Sequence, residues 1–229
     1  MLMTLLYGRL DFWSAVSQIL AILMIIFLIL PFHEWAHAFT AKKLGDTGID
    51  NGGRLTLNPL AHIDPFGALA LLLFGFGWAK PVSVDPRQFK NPKLGMALVA
   101  LMGPVANIVA AIAGALILNA IMTFAPGFSQ GQGFGYYVVL FLSYYVSINI
   151  RLAVFNLLPI PPLDGSKILF SFLPDRWVFW FYQNQMIISI LMLVLLWVGV
   201  LNMPLSFLSG YVSRFVYWLT ALPFASFAG

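Results

Sequence analysis

The sequence predicts an all-α polytopic membrane protein, and three observations predict it: 61% of the residues are hydrophobic, only 9% are charged, and the mean hydropathy is +0.90. A soluble domain carries about 25% charged residues, so a chain this apolar must close its backbone hydrogen bonds inside helices that cross lipid. About five transmembrane helices are expected, with a re-entrant or membrane-dipping segment and a short β-hairpin or extended loop between them. Residues 1–229 read as a single membrane-embedded domain, with its core over about 14–175 and C-terminal membrane helices over about 184–222. Spans use up the length that a separate soluble unit of about 50 residues would need.

Each span is a nearly charge-free run of about 20 apolar residues. The first covers 12–32, the second 94–126, and the third runs from 134 past Arg151 to about 158. A fourth covers 184–213, and the aromatic stretch 215–229 is a fifth span or an interfacial helix. No removable signal peptide is expected, because the first apolar run lacks a short core followed by a small-residue cleavage site. The net charge of +4 lies mainly in loops, which marks orientation in the bilayer and not a nucleic-acid surface. The tyrosines and tryptophans at 136, 137, 144, 145, 177, 180 and 182 read as interfacial belt and packing.

The segment FGALALLLFGFGWA at 66–79 is shorter. As helix, its 14 residues reach roughly 21 Å against a hydrocarbon core of about 30 Å. Lys42, Lys43 and Arg54 precede it, and Lys80, Arg87, Lys90 and Lys93 follow it. The positive-inside bias puts both groups on the cytoplasmic face, so this segment dips into the membrane and returns. Glycines at 67, 75 and 77 suit a broken path. The uncharged loop 127–133 belongs outside, and the turn formers around Arg-Leu-Thr-Leu in 48–65 suggest the hairpin or extended loop.

The first span ends in PFHEWAHAFTA at 31–41. His33-Glu34-Trp35-Ala36-His37 is an H-E-x-x-H match, whose histidines share one helix face and can offer two imidazole nitrogens to one Zn²⁺. Glu34 then stands beside the metal as a general base. It is the only glutamate in the chain, and two of the three histidines lie in the motif. Ionisable groups at membrane depth cost roughly 2.5–3.5 kcal/mol each on insertion scales, which marks them as functional and not as a polar helix end.

A catalytic site needs a third ligand and an open position. With no cysteine and no second glutamate, the candidates are His62 and the seven aspartates. Thr40 and Lys43 occupy the places where a longer motif of the metzincin type would need Gly and His. Asp46, Asp50, Asp85 and Asp175 sit among basic or turn-forming residues and read as solvated loop charges. Asp164 is preferred, because three prolines in FNLLPIPPLDGSKIL (155–169) break a span just before it, and broken helices at membrane depth are where ions are held. Capping the following helix is its bland alternative. His62 reads as forming a loop-structuring hydrogen bond, the alternative being a group that faces substrate or backs the metal ligands. Asn107 either lines the same cavity or packs helices among small residues.

HEWAH on the first long helix, GPVAN at 103–107 and NLLPIPPLDG at 156–165 together resemble the site-2 protease family of intramembrane zinc metalloproteases. GRLTLNPLAHIDPFG at 53–67 is similar to its compact branch without PDZ or CBS domains, and the resemblance covers roughly 14–175. It implies one Zn²⁺ per chain bound by His33, His37 and Asp164, Glu34 as base, and Asn156 as an amide donor toward the oxyanion of the cleaved carbonyl. It further implies a transmembrane protein substrate and regulated intramembrane proteolysis; a prokaryotic cell membrane is expected, with the active site nearer the cytoplasmic face because basic residues follow the motif. Two departures stand out: Asp164-Gly165-Ser166 replaces the family's Asp-Gly-Gly, and the motif lies on the first span. A substrate helix would be unwound there, by strand addition against 48–65. The alternatives are a catalytically inactive relative that binds membrane partners and a metal transporter. Neither explains the unique glutamate together with spans 94–126 and 184–213, read as free of ionisable groups. Oligomeric state and substrate identity leave no mark in the sequence.

Overall fold

The structure, a computed structural model, describes residues 11–51, 53, 55–74 and 79–227, which are mainly helical and contain no sheet. Helix α1 (Phe12–Leu44) starts at Asp11, whose carboxylate accepts from the Ser14 N–H. It stops at Gly45, which turns into the left-handed region at φ 114°. Its 33 residues reach ~50 Å, well beyond a hydrocarbon core of ~30 Å. One continuous helix therefore carries both the apolar run and, at its C-terminal end, His33, Glu34 and His37. A π turn at Ile25–Ile29 precedes the motif. One inserted residue rotates the remainder of the helix by ~100°, which sets the histidine face relative to the face buried by Ala21 and Ile22.

Helix α2 (Pro65–Phe74) has 10 residues, or ~15 Å, too short to cross. Its flanks meet: Ile63 and Ala79 form an antiparallel bridge, and the Lys80 N–H donates to the His62 carbonyl at 2.7 Å. The chain thus comes back beside the point at which it left. Arg54, Gly75 and Gly77, which entered the sequence argument for the dip, lie outside the described residues. Of the two forms expected for 48–65, the described residues show a loop with single helical turns at Gly48–Asn51 and Pro59–His62. The Asn58 side chain accepts the Leu60 N–H at 3.1 Å and Pro59 comes next, which starts a helical turn where a strand would have to continue.

Helix α3 (Pro92–Phe124) is the hub, packed against α4 (Phe134–Asn156), the C-terminal half of α1, and helices nearer the C-terminus. Lipid gives no hydrophobic drive between helices, so close approach of small residues must hold them together. Ala110, Ala111 and Ala115 of α3 are buried against Ile22, Ile25 and Ile29 of α1 and Val146 and Ile150 of α4. At Gly114 the Tyr145 ring takes the space of a side chain: a Cβ there would stand 2.7 Å from it.

Beyond Asn156 the prolines break the chain, with Pro161-Pro162 in cis, and α5 (Asp164–Phe170) begins. Helices α6 (Asp175–Gln183) and α7 (Gln185–Trp197) meet at 70°, and α8 (Asn202–Ala221) ends in a 3-10 segment at Leu222–Phe227. The expected span over 184–213 is corrected here. Gly199 takes φ 84°, a conformation that suits glycine and stops a helix, so 185–197 and 202–221 are separate elements. Among the described residues α1, α3 and α4 are long and apolar enough to cross, and four spans result if the bent α6–α7 pair counts as one. The count of five is not reached.

Candidate metal centre

Four residues apart on α1, His33 and His37 point the same way, and their Nε2 atoms stand 3.1 Å apart. Asp164 opens α5 after Leu163, and its Oδ2 lies 3.3 Å from His33 Nε2 and 3.2 Å from His37 Nε2. All three residues are buried, at 5%, 6% and 8% exposure. A tetrahedral ion with metal–N distances of ~2.0–2.1 Å and metal–O of ~2.0–2.2 Å separates its ligand atoms by ~3.3–3.5 Å. The observed triangle of 3.1–3.3 Å matches one face of that tetrahedron to within a few tenths of an ångström.

Hydrogen bonding sets which ring nitrogens face the triangle. His37 Nδ1 lies 2.7 Å from the Val99 carbonyl, which can only accept, so Nδ1 holds the proton and Nε2 of the neutral ring is a bare lone pair. His33 Nδ1 is placed the same way, 2.6 Å from Asn107 Oδ1. Two lone pairs and a carboxylate oxygen then face one another away from water, an arrangement that a bound cation would stabilise.

Space for the ion comes from α3. A Cβ on Gly103 would stand 2.4 Å from His37 Nε2 and 2.5 Å from His33 Nε2. Pro104, next to it, has no N–H for the carbonyl of Ala100, which loosens the helix beside Val99, whose oxygen holds His37. The segment GPVAN thus contributes both the open space and the Asn107 oxygen.

Glu34 is half-buried beside His33, and its Oε2 accepts the Val82 N–H at 3.2 Å. Val82 lies on a non-helical strap, 79–85, that leads from the Ile63–Ala79 bridge toward α3. Asp46 anchors the strap's far end. Only 2% exposed, its carboxylate accepts from Gly48 N at 2.9 Å, Asp85 N at 2.8 Å and Gln88 Nε2 at 3.2 Å. The reading of Asp46 as a solvated loop charge is therefore corrected: the chain folds its own backbone donors onto it. Asp85 is a surface charge, forked by Arg87 at 2.8 and 3.0 Å, which lowers its carboxyl to about 2. Asp175 is 91% exposed and pairs with Lys93 at 2.7 Å. The side chain of Asp50 lies outside what the structure describes.

Around Asp164 the loop is tight. A Cβ on Gly165 would stand 2.2 Å from the Leu157 carbonyl oxygen, so position 165 must be glycine. The Ser166 hydroxyl donates to the Leu163 carbonyl at 2.6 Å, which accounts for serine at the next position. Lys167 Nζ lies 3.3 Å from Asp164 Oδ1, the oxygen turned away from the histidines.

His62 stays apart from this cluster. It is fully buried, with Nε2 2.8 Å from the Thr56 carbonyl. Asn156 ends α4, and among the described residues its side chain makes no hydrogen bond. Strand addition against 48–65 has no strand to add to among the described residues. Sequence reasoning missed the Val82 N–H and the Val99 carbonyl, since a backbone group leaves no residue type behind. It also missed Asn149, although an asparagine on an apolar span was a signal in itself.

The profile of peptidase family M50 matches residues 121–199, which take in Asp164 and not the histidines. Among curated proteins the chain is 43% identical over 153 residues to "Putative zinc metalloprotease YwhC" of Bacillus subtilis, covering 66% of this chain and 69% of that one. It is 33% identical over 138 residues to "Putative zinc metalloprotease Rip2" of Mycolicibacterium smegmatis, covering 58% of this chain and 49% of that one. A Rip2 of Mycobacterium tuberculosis is 29% identical over 194 residues, 82% of this chain and 68% of that one. No solved structure matches the chain significantly.

Proposed function

The chain belongs to peptidase family M50, the site-2 protease family of membrane metalloproteases, and from that premise we propose that it is a zinc-dependent intramembrane endopeptidase acting in regulated intramembrane proteolysis. The observation that carries the reading is the buried triangle of His33 Nε2, His37 Nε2 and Asp164 Oδ2, 3.1–3.3 Å on each side, with Gly103 keeping its centre open. These three side chains would hold the zinc. When bound, the ion supplies Lewis acidity to the scissile carbonyl and to the attacking water.

The chain's own groups do the rest. Glu34, kept in place by the Val82 N–H, takes a proton from the water that attacks the carbonyl carbon and returns it to the leaving amide nitrogen. The backbone bond to Val82 leaves one Glu34 oxygen, Oε1, for this work. Asn156, next to the Leu157–Gly165 contact at the start of the Asp164 loop, is the proposed donor toward the oxyanion. The substrate is the transmembrane segment of another membrane protein, since the motif continues a spanning helix at the end of its apolar run. We read the chain as one membrane-embedded domain of a prokaryotic cell membrane, with the site nearer the cytoplasmic face, where Lys42, Lys43, Lys80, Arg87 and Lys90 gather.

Glu34→Gln tests the assignment of the base. It should keep its zinc, because this side chain is no ligand, and lose cleavage of a transmembrane substrate by at least ~100-fold. Turnover at the wild-type rate in that variant would sink the mechanism.

A further inference from the structure

Beyond the three metal-facing residues, the molecule carries a chain of buried amides that ends on His33. Asn149 Nδ2 donates to the Tyr145 carbonyl at 2.9 Å, Asn107 Nδ2 donates to Asn149 Oδ1 at 3.3 Å, and Asn107 Oδ1 lies 2.6 Å from His33 Nδ1. Asn149 is 0% exposed and Asn107 1%, so no water replaces these partners.

We infer that Asn107 and Asn149 are positioning residues that hold the His33 proton on Nδ1 and so keep its Nε2 free for a metal ion. The direction of the chain fixes this. A carboxamide is symmetric in shape but has an acceptor on one side and a donor on the other. The Tyr145 carbonyl can only accept, so Asn149 must turn its NH₂ toward it and its oxygen toward Asn107. Asn107 must then turn its own NH₂ to Asn149, which leaves its oxygen for His33. Facing an oxygen, Nδ1 must be the N–H of the neutral ring. A backbone carbonyl of α4 thereby sets the tautomer of a histidine on α1 through two side chains. His37 reaches the same tautomer in one step, from the Val99 carbonyl. Without Asn149, Asn107 is free to flip, and the flipped amide favours the proton on Nε2, where it blocks the metal.

This inference rests on His33 being a metal ligand, and its test separates the two claims. The full-length protein, purified and stripped of metal, is titrated with zinc against a chelator, and its histidines are labelled with ¹⁵N. Only three histidines are present, so each can be assigned. His33→Ala tests the ligand, and loss of zinc binding is expected. Asn149→Leu should weaken zinc binding by roughly threefold to tenfold, and Asn107→Leu by about 10–100-fold. In both variants the His33 Nδ1–H signal should give way to a mixture of tautomers. Asn107→Asp supplies the rescue, because a carboxylate presents an acceptor whichever way it is turned. When Asn149→Leu is added to the Asn107→Asp variant, it should cost no further zinc affinity and leave the Nδ1–H tautomer in place. A purely structural role predicts that the Asn149→Leu loss repeats in full in that double variant, and this result overturns the inference. So does wild-type affinity in Asn107→Leu while His33→Ala binds no zinc. If His33→Ala itself binds zinc normally, the ligand assignment fails first and the inference with it.

Discussion

Oδ2 of Asp164 stands 3.2 Å from Nε2 of His37, joining the loop after α4 to the far end of α1 inside the membrane protein. That contact needs both segments at one level of the bilayer. The bridge between Ile63 and Ala79 fits this, because it brings the chain back beside its point of departure before α3 begins. Without the return, the later helices would run the opposite way and separate the two residues by about a bilayer thickness of ~30 Å.

Gly103→Ala isolates the space around the ion. The new methyl would overlap both Nε2 atoms at 2.4–2.5 Å, so zinc affinity should fall at least ~10-fold. Helix α3 itself should not suffer, because alanine favours a helix interior over glycine by ~1 kcal/mol. Circular dichroism and chelator competition on the same sample check this. Unchanged zinc binding in a folded variant would show that the ion lies elsewhere.

Val82→Pro removes the N–H that holds Glu34, in a strap that belongs to no helix. A hydrogen bond to a charged group is worth ~1.5–3 kcal/mol, so turnover should fall ~10–100-fold. Zinc content should be unchanged. Val82→Ala, which keeps the N–H, should remain active, and equal losses in both variants would rule out a role for the backbone bond.

Asp46→Ala strips three donors of their acceptor at once. At ~1–3 kcal/mol for each buried donor left unpaired, and with Gln88 able to turn to solvent, a destabilisation of ~2–6 kcal/mol is expected. Thermal unfolding in detergent should show a clearly lowered midpoint. A midpoint equal to wild type would mean that the strap is not anchored there.

The membrane arrangement can be read directly, since the chain has no native cysteine. Single cysteines in place of Lys43 and Lys90, both exposed and on either side of the dip, should react with an impermeant maleimide from the same face of the membrane. Reaction from opposite faces would make 66–79 a crossing segment.

Much of the site was legible in the sequence because its chemistry needs rare residue types in a lipid setting. One glutamate, two helix-spaced histidines and an acid behind three prolines stand out against an apolar background. The shortness of 66–79 was legible as well: its described helix, Pro65–Phe74, has 10 residues. The hidden parts are held by common groups. The Val99 carbonyl and the Val82 N–H belong to every residue, and Asp46 looks like a loop acid until the strap folds over it. The break at Gly199 was missed because 184–213 contains no charge to interrupt it, and a single glycine with φ 84° was enough.

Metal analysis of purified protein bears most directly on the central claim. The wild-type chain should carry about one zinc, His62→Ala should keep it, and Asp164→Ala should lose most of it together with activity. A depleted His62→Ala beside an unchanged Asp164→Ala would contradict the site built on His33, His37 and Asp164.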